Sequence, residues 1–170
     1  MIYRIRSFDK AVDAASFHCG QPALDEYIQR YATQDVRRNV ARVFLATPEN
    51  DPQHLAGFFT LSAGSVNCSD LPESLAKKLP RYPVPVALIG RLAVSNEFQR
   101  HGLGSILLAD ACQKVVQAST VLAVAGIVVE AKDKSAESFY QHFGFLTLPG
   151  DPARLLLPAT VFQPNPKISG

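Results

Sequence analysis

The stretch Val84-Pro85-Val86-Ala87-Leu88-Ile89-Gly90-Arg91-Leu92-Ala93-Val94, followed four residues later by Gln99-Arg100-His101-Gly102-Leu103-Gly104, decides how this chain is read. The first part is nearly all apolar, which predicts a buried strand. Gly90 inside it marks a bulge or a close backbone approach. Past the glycines, Leu103, Ile106, Leu107, Ala111, Val115 and Ala118 recur at helical spacing, with Asp110, Lys114 and Gln117 mostly off that stripe. A helix start leaves several backbone N–H groups unpaired and carries partial positive charge. Glycines let that backbone close on an anion with no side chain in the way. Arg100 adds a fixed charge, and His101 adds another when protonated. These are the parts of a diphosphate cradle; they also make a plain strand-to-helix turn. No Gly-Lys-Ser/Thr follows, so the loop is not a Walker A loop. Leu107 stands where a dinucleotide fingerprint needs its third glycine.

Downstream, the apolar run Val121 to Ala131 predicts a buried, parallel-paired strand. Asp133 and Ser135 stand as caps of a helix running to His142, and Gly144 fits its stop. Phe145 to Leu148 and Arg154 to Leu157 read as short closing strands. Upstream, Ile2 to Arg6 alternates as a strand. Pro22 opens a helix after the turn Cys19-Gly20-Gln21, with Leu24, Tyr27, Ile28 and Tyr31 on one apolar face. Val43 to Thr47 and Leu55 to Ser65 form a hairpin across the turn-forming segment Pro48 to Pro52. Leu71 to Leu79 reads as a short helix ending before Pro80. Alternating strand and helix in the second half implies an α/β fold, a mixed twisted sheet of six to seven strands flanked by helices on both faces.

The bulk properties set the class. A chain of 170 residues suffices for one domain with a real core. It is assigned to residues 1–160, with a loose tail over 161–170. Hydrophobic residues at 47% against 19% charged exclude a disordered chain. A net charge of +2 is too mild to argue for nucleic acid by itself, which leaves the question to local patches. Cys19, Cys68 and Cys112 are far apart, with no C-x-x-C pair and no Cys/His zinc spacing; free reduced thiols and no metal are expected. The opening MIYRIRSFDK lacks the apolar core of a signal peptide, and no apolar run reaches the roughly 18 residues of a membrane span. A soluble, cytoplasmic protein without membrane contact is the expectation.

The glycine loop resembles a known family. Gln99-Arg100-His101-Gly102-Leu103-Gly104 fits the Q/R-x-x-G-x-G/A acetyl-CoA loop of GNAT acetyltransferases, and Arg91-Leu92-Ala93-Val94 fits the strand preceding it. Ala131-Lys132-Asp133-Lys134-Ser135-Ala136 through Phe139-Tyr140-Gln141-His142-Phe143-Gly144-Phe145 resembles the family's A-x-D-x-x-A…FY-x-x-F-G-F segment. The three blocks stand in the right order. Relatives often carry a glycine at the position of His101; here Arg100-His101 makes the loop bulkier and more basic. Phe17-His18-Cys19-Gly20 with Leu24-Asp25 and Tyr27 resembles the opening of TacT-like acetyltransferase toxins of type II toxin–antitoxin modules, as do Phe59-Thr60-Leu61-Ser62 and Leu79-Pro80-Arg81-Tyr82-Pro83. The resemblance implies a GNAT fold with acetyl-CoA in a gap between two central strands. It implies cofactor contacts from Leu92, Ala93, Val94, Gln99, Arg100, His101, Gly102, Leu103, Gly104, Ser105, Ser135 and Phe139. It further implies an aminoacyl-tRNA acceptor, translation arrest, a ribbon-helix-helix antitoxin and a homodimer. A general acetyltransferase acting on a polyamine, small amine or protein stands beside it as the alternative.

Acetyl transfer to an amine needs a neutral amine, a polarised carbonyl and a leaving thiolate. An α-amino group with a pKa near ~7.7–8.0 is far more often neutral at pH 7 than a lysine near ~10.4, so a charged tRNA needs no strong base. Freed amides of Ala93 and Val94 would suit the carbonyl. Tyr140 is the candidate catalytic acid through the resemblance; by packing alone it reads as one aromatic among Phe139, Phe143 and Phe145. A phenol of pKa ~10 giving its proton to a thiolate of ~8.5 works uphill by about 2 kcal/mol. Glu130 ends the apolar strand, where a strand-end ion pair competes with a role in orienting water. Arg37 and Arg38, then Lys77, Lys78, Arg81 and Arg91, form a basic set suited to tRNA phosphates or to solvent. Arg91 lies in an apolar strand and therefore calls for a partner or a phosphate.

Overall fold

A computed structural model describes residues 1–162. Seven strands hydrogen-bond into one sheet: β1 (Tyr3–Ser7), β2 (Arg42–Pro48), β3 (Gly57–Val66), β4 (Val84–Val94), β5 (Gly126–Glu130), β6 (Leu146–Leu148) and β7 (Asp151–Pro158), in spatial order β1-β2-β3-β4-β5-β7-β6. β1, β2 and β3 are antiparallel, with Arg6 opposite Leu45 and Phe44 opposite Phe59. β4 and β5 are parallel over Ala87–Ile127, Leu88–Val128 and Ile89–Val129. β7 returns antiparallel between β5 and β6. The chain divides into two compact units: Met1–Ser62 with Gly90–Ala111, and Ala63–Ile89 with the residues from Cys112 onward.

The first unit is built around the β1–β3 hairpins and the helical segment that follows Pro22. Phe58, wholly buried, meets the rings of Phe17 edge-on and Tyr27 in a stack, with Leu24, Ile28, Leu45 and Leu55 around them. Each such side chain contributes roughly 1.5–3 kcal/mol on burial. The helical segment is not one regular helix. It runs α1 (Pro22–Glu26), a wider π-helical turn (Tyr27–Tyr31) and α2 (Ala32–Arg37). The wide turn closes with the Ala32 N–H donating to the Tyr27 carbonyl, five residues back. The extra residue shifts the pattern by one position. Ala32, 1% exposed, takes the buried place that α-helical spacing assigns to Tyr31. Tyr31 turns outward at 49% exposure and donates to Glu26 Oε1.

In the second unit, Val66, Leu71, Val84, Val86, Val128, Leu148 and Leu156 form the core. The helix expected over 71–79 shortens to α3 (Glu73–Ala76). The long helix α4 (Leu103–Ala118) has the expected bounds but a shifted face. Leu103, Leu107, Leu108, Ala111 and Val115 are buried; Ile106 lies off that face, and Ala118, the last helical residue, is exposed. The apolar run from Val121 is only partly a strand. The N–H groups of Val121 and Leu122 both bond back to the Ala118 carbonyl, turning the chain, and Val121 is 92% exposed. β5 therefore begins at Gly126. Helix α5 (Lys134–His142) is capped by Asp133, whose Oδ1 accepts from the Ala136 N–H at 2.8 Å, so Ser135 is a helical residue and not a cap. Gly144 follows at φ +94°. The tail expected from residue 161 opens with helix α6 (Ala159–Phe162), and the rest of it lies outside the described residues.

Candidate active site

The end of β4 and the turn into α4 bring most of the candidate cofactor residues together within the first unit. β4 pairs with β5 over Ala87–Ile89, and its last residues, Gly90–Val94, lead toward the turn. A Cβ at Gly90 would lie 3.4 Å from Thr60 Oγ1, an ordinary contact, so the expected close approach does not single out this glycine. Gly57 lets β3 lie against this region, since a Cβ would come within 2.9 Å of the Ala93 carbonyl and 3.0 Å of Leu107. Leu103, buried at the first position of α4, fixes the helix start.

A short 3₁₀ turn, Asn96–Phe98, connects β4 to the glycine loop. The Ser95 N–H donates to the Ala56 carbonyl at 2.8 Å, and the Asn96 N–H donates to the His18 carbonyl at 2.7 Å. Phe98 packs against the rings of Tyr3 and His54, and His54 Nε2 lies 2.6 Å from Glu97 Oε1. Gln99 Nε2 donates to two carbonyls, Val94 at 2.9 Å and Cys19 at 3.0 Å. Its side-chain amide therefore braces the turn.

Two residues of the loop have left-handed backbone, Arg100 at φ +68° and Gly102 at φ +82°. The position that asks for glycine and lacks it is thus Arg100, not His101. A Cβ at Gly102 would meet nothing within 4 Å, so the turn faces open space. The first bond of α4 runs from the Ile106 N–H to the Gly102 carbonyl. The amides of Leu103, Gly104 and Ser105 precede it and have no acceptor within the helix. Arg100 and His101 are exposed and make no ion pair among the described residues. Open space bordered by amide donors, a helix N-terminus and a guanidinium fits a diphosphate and repels a cation. The residues present thus fit the diphosphate of a coenzyme A thioester.

Arg91 has the partner its strand demands. Its guanidinium carbon lies 3.6 Å from the centre of the Tyr27 ring. The Tyr27 hydroxyl donates to Asp35 Oδ2 at 2.9 Å. Burial, with that hydrogen bond, pushes the Tyr27 phenol up to about 12. Arg37 and Arg38, at the end of α2, are exposed.

The second unit holds Tyr140, in α5. Its ring is 5% exposed and packs edge-on against Phe139 and tilted against Phe145. Burial pushes its phenol up to about 12, so it stays protonated throughout the physiological range. Its hydroxyl makes no hydrogen bond among the described residues. Phe139, half-buried, also meets Phe143, and Ser135 is exposed in the first turn of the helix. Glu130 is engaged at the strand end by Arg154 at 3.5 Å, which also meets Asp151. Lys77, Lys78 and Arg81 are exposed, with Lys77 3.5 Å from Glu73. No cluster of His, Cys, Asp and Glu among the described residues is arranged to hold a metal. No helix among them is long and apolar enough to cross a membrane.

Sequence reasoning misses the bracing residues. Ser95, Asn96 and the carbonyls of His18 and Cys19 carry no pattern that spacing exposes, because their bonds span 77 to 80 positions in the chain. The only trace is the Phe17-to-Gly20 segment, which its resemblance singles out without giving it a physical role.

The chain is similar to known acetyltransferases. The profile of the "Acetyltransferase (GNAT) family" matches residues 10–145. A Mycobacterium tuberculosis protein named "tRNA-acetylating toxin" is 38% identical over 152 residues, covering 89% of each chain. The structure "AtaT complexed with acetyl-methionyl-tRNAfMet" superposes with a TM-score of 0.88 at 27% identity, covering 95% of this chain and 98% of that one. "AtaTR bound with AcCoA" does so with a TM-score of 0.82 at 28% identity, covering 95% and 96%. A profile match over most of the chain, together with a relative 38% identical over 89% of it, identifies the protein as a member of the GNAT acetyltransferase family.

Proposed function

We propose that this acetyltransferase is a toxin that uses acetyl-CoA to acetylate the amino group of an aminoacyl-tRNA and thereby arrests translation. The observation that carries it is the open, amide-lined turn from Gly102 into α4, on a chain 38% identical to a tRNA-acetylating toxin. The profile match runs through both compact units, so they are read together as one acetyltransferase domain.

Bound acetyl-CoA supplies the thioester whose acetyl group is transferred. The amides of Leu103, Gly104 and Ser105, with Arg100 and His101, hold its diphosphate. Leu92, Ala93 and Val94 align its arm, and the amides of Ala93 and Val94 polarise the carbonyl. Ser135 and Phe139 are assigned to the cofactor by the family segment they occupy. Tyr140 is the donor to the departing sulfur. With its phenol pushed up to about 12, full transfer to a thiolate of ~8.5 is uphill by roughly 5 kcal/mol at 1.36 per unit, more than an unperturbed phenol would require. Tyr140 therefore acts by hydrogen-bonding the developing charge, its proton never lost to solvent near neutrality. The α-amino group of a charged tRNA is partly neutral at pH 7, so water suffices to take its proton. Glu130, engaged by Arg154, is left out of that step.

Arg37, Arg38, Lys77, Lys78 and Arg81 are assigned to tRNA phosphates; Arg91, spent on Tyr27, is not. A ribbon-helix-helix antitoxin, a homodimer and a cytoplasmic site of action complete the reading. The test is transfer from labelled acetyl-CoA to purified tRNA. Label on charged tRNA and none on deacylated tRNA is expected. Label on polyamine or protein with charged tRNA untouched overturns the acceptor assignment.

A further inference from the structure

Among the described residues Asp25 makes no hydrogen bond or ion pair with the glycine loop or with a strand end, yet a chain of hydrogen bonds links it to both. We propose that Asp25 is the positioning residue of the diphosphate-binding turn, acting through the loop Phe17–Gly20 on Asn96 and Gln99. The inference rests on the reading of that turn as the acetyl-CoA site.

Asp25 Oδ1 accepts from the Cys19 N–H at 2.9 Å, and Oδ2 lies 3.7 Å from His18 Nδ1. Its side chain is 14% exposed, so the acceptance is made in a largely water-excluded setting where a charge-assisted bond is strong. A second hold comes from the π-helical turn, where Gln29 Nε2 donates to the Phe17 carbonyl at 3.1 Å. Phe17 itself is fixed in the core. With its amide and its ring both held, the loop presents two carbonyls in fixed directions. The His18 carbonyl accepts the Asn96 N–H at 2.7 Å and the Ser95 hydroxyl at 3.4 Å. The Cys19 carbonyl accepts Gln99 Nε2, which simultaneously ties back to the Val94 carbonyl. Gln99 immediately precedes Arg100 and so sets the entry of the left-handed turn.

A helix N-terminus binds an anion well only when its amides converge, and the strained φ at Arg100 persists only if its neighbours over-determine it. The loop held by Asp25 supplies that constraint from one side, as the Ser95–Ala56 bond does from the other. Asp25 thus bears on cofactor affinity without touching the cofactor.

Calorimetric titration with coenzyme A tests this on the full chain. Asp25→Ala is expected to weaken binding about tenfold, the size of one missing charge-assisted hydrogen bond. The KM for acetyl-CoA rises in step while kcat at saturation stays within about twofold. Asp25→Asn keeps an acceptor for the Cys19 amide and restores most of the affinity. In a Gln99→Ala background the further loss from Asp25→Ala shrinks below about threefold, because the effect runs through Gln99. Asp13→Ala removes a carboxylate bond of the same 2.9 Å length, to the Ala15 N–H on an exposed turn away from this chain of bonds, and leaves affinity unchanged. For the unsubstituted protein, coenzyme A slows hydrogen exchange at the Cys19 and Asn96 amides, a measurement that survives any failure of a variant to fold. Full affinity in Asp25→Ala, an undiminished loss in the Gln99→Ala background, or no protection at Cys19 overturns the inference. A wild-type chain with no affinity for coenzyme A overturns the cofactor reading first.

Discussion

The guanidinium carbon of Arg91 lies over the ring of Tyr27, 3.6 Å from its centre, while the Tyr27 hydroxyl donates to Asp35. A charge placed in an apolar strand is thereby held by a π-face, and the ring is locked against Phe58 in the core. The pair joins the strand that leads to the glycine loop with the helices that follow Pro22. Arg91→Ala should lower stability by about 1 kcal/mol, read from the urea midpoint at constant slope. Arg91→Lys should recover little, since an ammonium does not stack. In a Tyr27→Leu background the Arg91→Ala loss should vanish; persistence there would assign the loss to something other than the pair.

The two left-handed residues of the loop predict opposite responses. Gly102→Ala meets no steric neighbour, so its cost of about 1 kcal/mol comes from φ alone. Coenzyme A affinity should fall with it as the turn opens. Arg100→Gly relieves φ +68° and should stabilise the fold, or leave it level, while weakening coenzyme A through the missing charge. Melting temperature and titration calorimetry separate the two effects. A stabilised Arg100→Gly that binds coenzyme A unchanged would remove the guanidinium from the cradle.

Tyr140→Phe leaves ring packing intact and should keep coenzyme A affinity. Its kcat for acetylation of charged tRNA should fall by about 10²–10³, the range for removing one positioned hydrogen-bond donor to a developing charge. An unaltered kcat would return Tyr140 to a packing role.

The raised phenols also carry a stability signature. A tyrosine near 10 when unfolded and about 12 when folded releases its proton from the unfolded chain first. Stability is then full below pH ~10 and declines as pH climbs toward ~12, by up to roughly 2–3 kcal/mol for a buried phenol. Chemical denaturation between those values should show the decline, and Tyr140→Phe should make it shallower. An identical slope in the variant would place the Tyr140 hydroxyl in water.

Charge reversal tests the RNA assignment. Arg37→Glu with Arg38→Glu should weaken charged tRNA uniformly and reduce the salt dependence of binding by roughly one unit of slope for each phosphate no longer neutralised. Lys77→Glu with Lys78→Glu should act in the same way. Coenzyme A affinity should not move in either pair, and an unchanged slope would return these residues to the solvated surface.

Sequence alone determined the elements whose signal is local. Near-continuous apolarity bounded β4 at Val84 and Val94, helical recurrence bounded α4 at Leu103 and Ala118, and the glycine pattern between them pointed to an anion. Those features depend on neighbours a few residues away, which spacing records. Tertiary structure decided the rest. The π-helical turn that exchanges Tyr31 for Ala32, the burial of Leu108 in place of Ile106, and the departure of Val121 and Leu122 from β5 each follow from what the segment packs or bonds against. So do the attachment of Arg91 to Tyr27 and the hold of Cys19 on Gln99, between residues 64 and 80 positions apart. A hydrogen bond or ring stack of that reach leaves no periodicity in the chain; it exists only once the sheet has brought the two segments side by side.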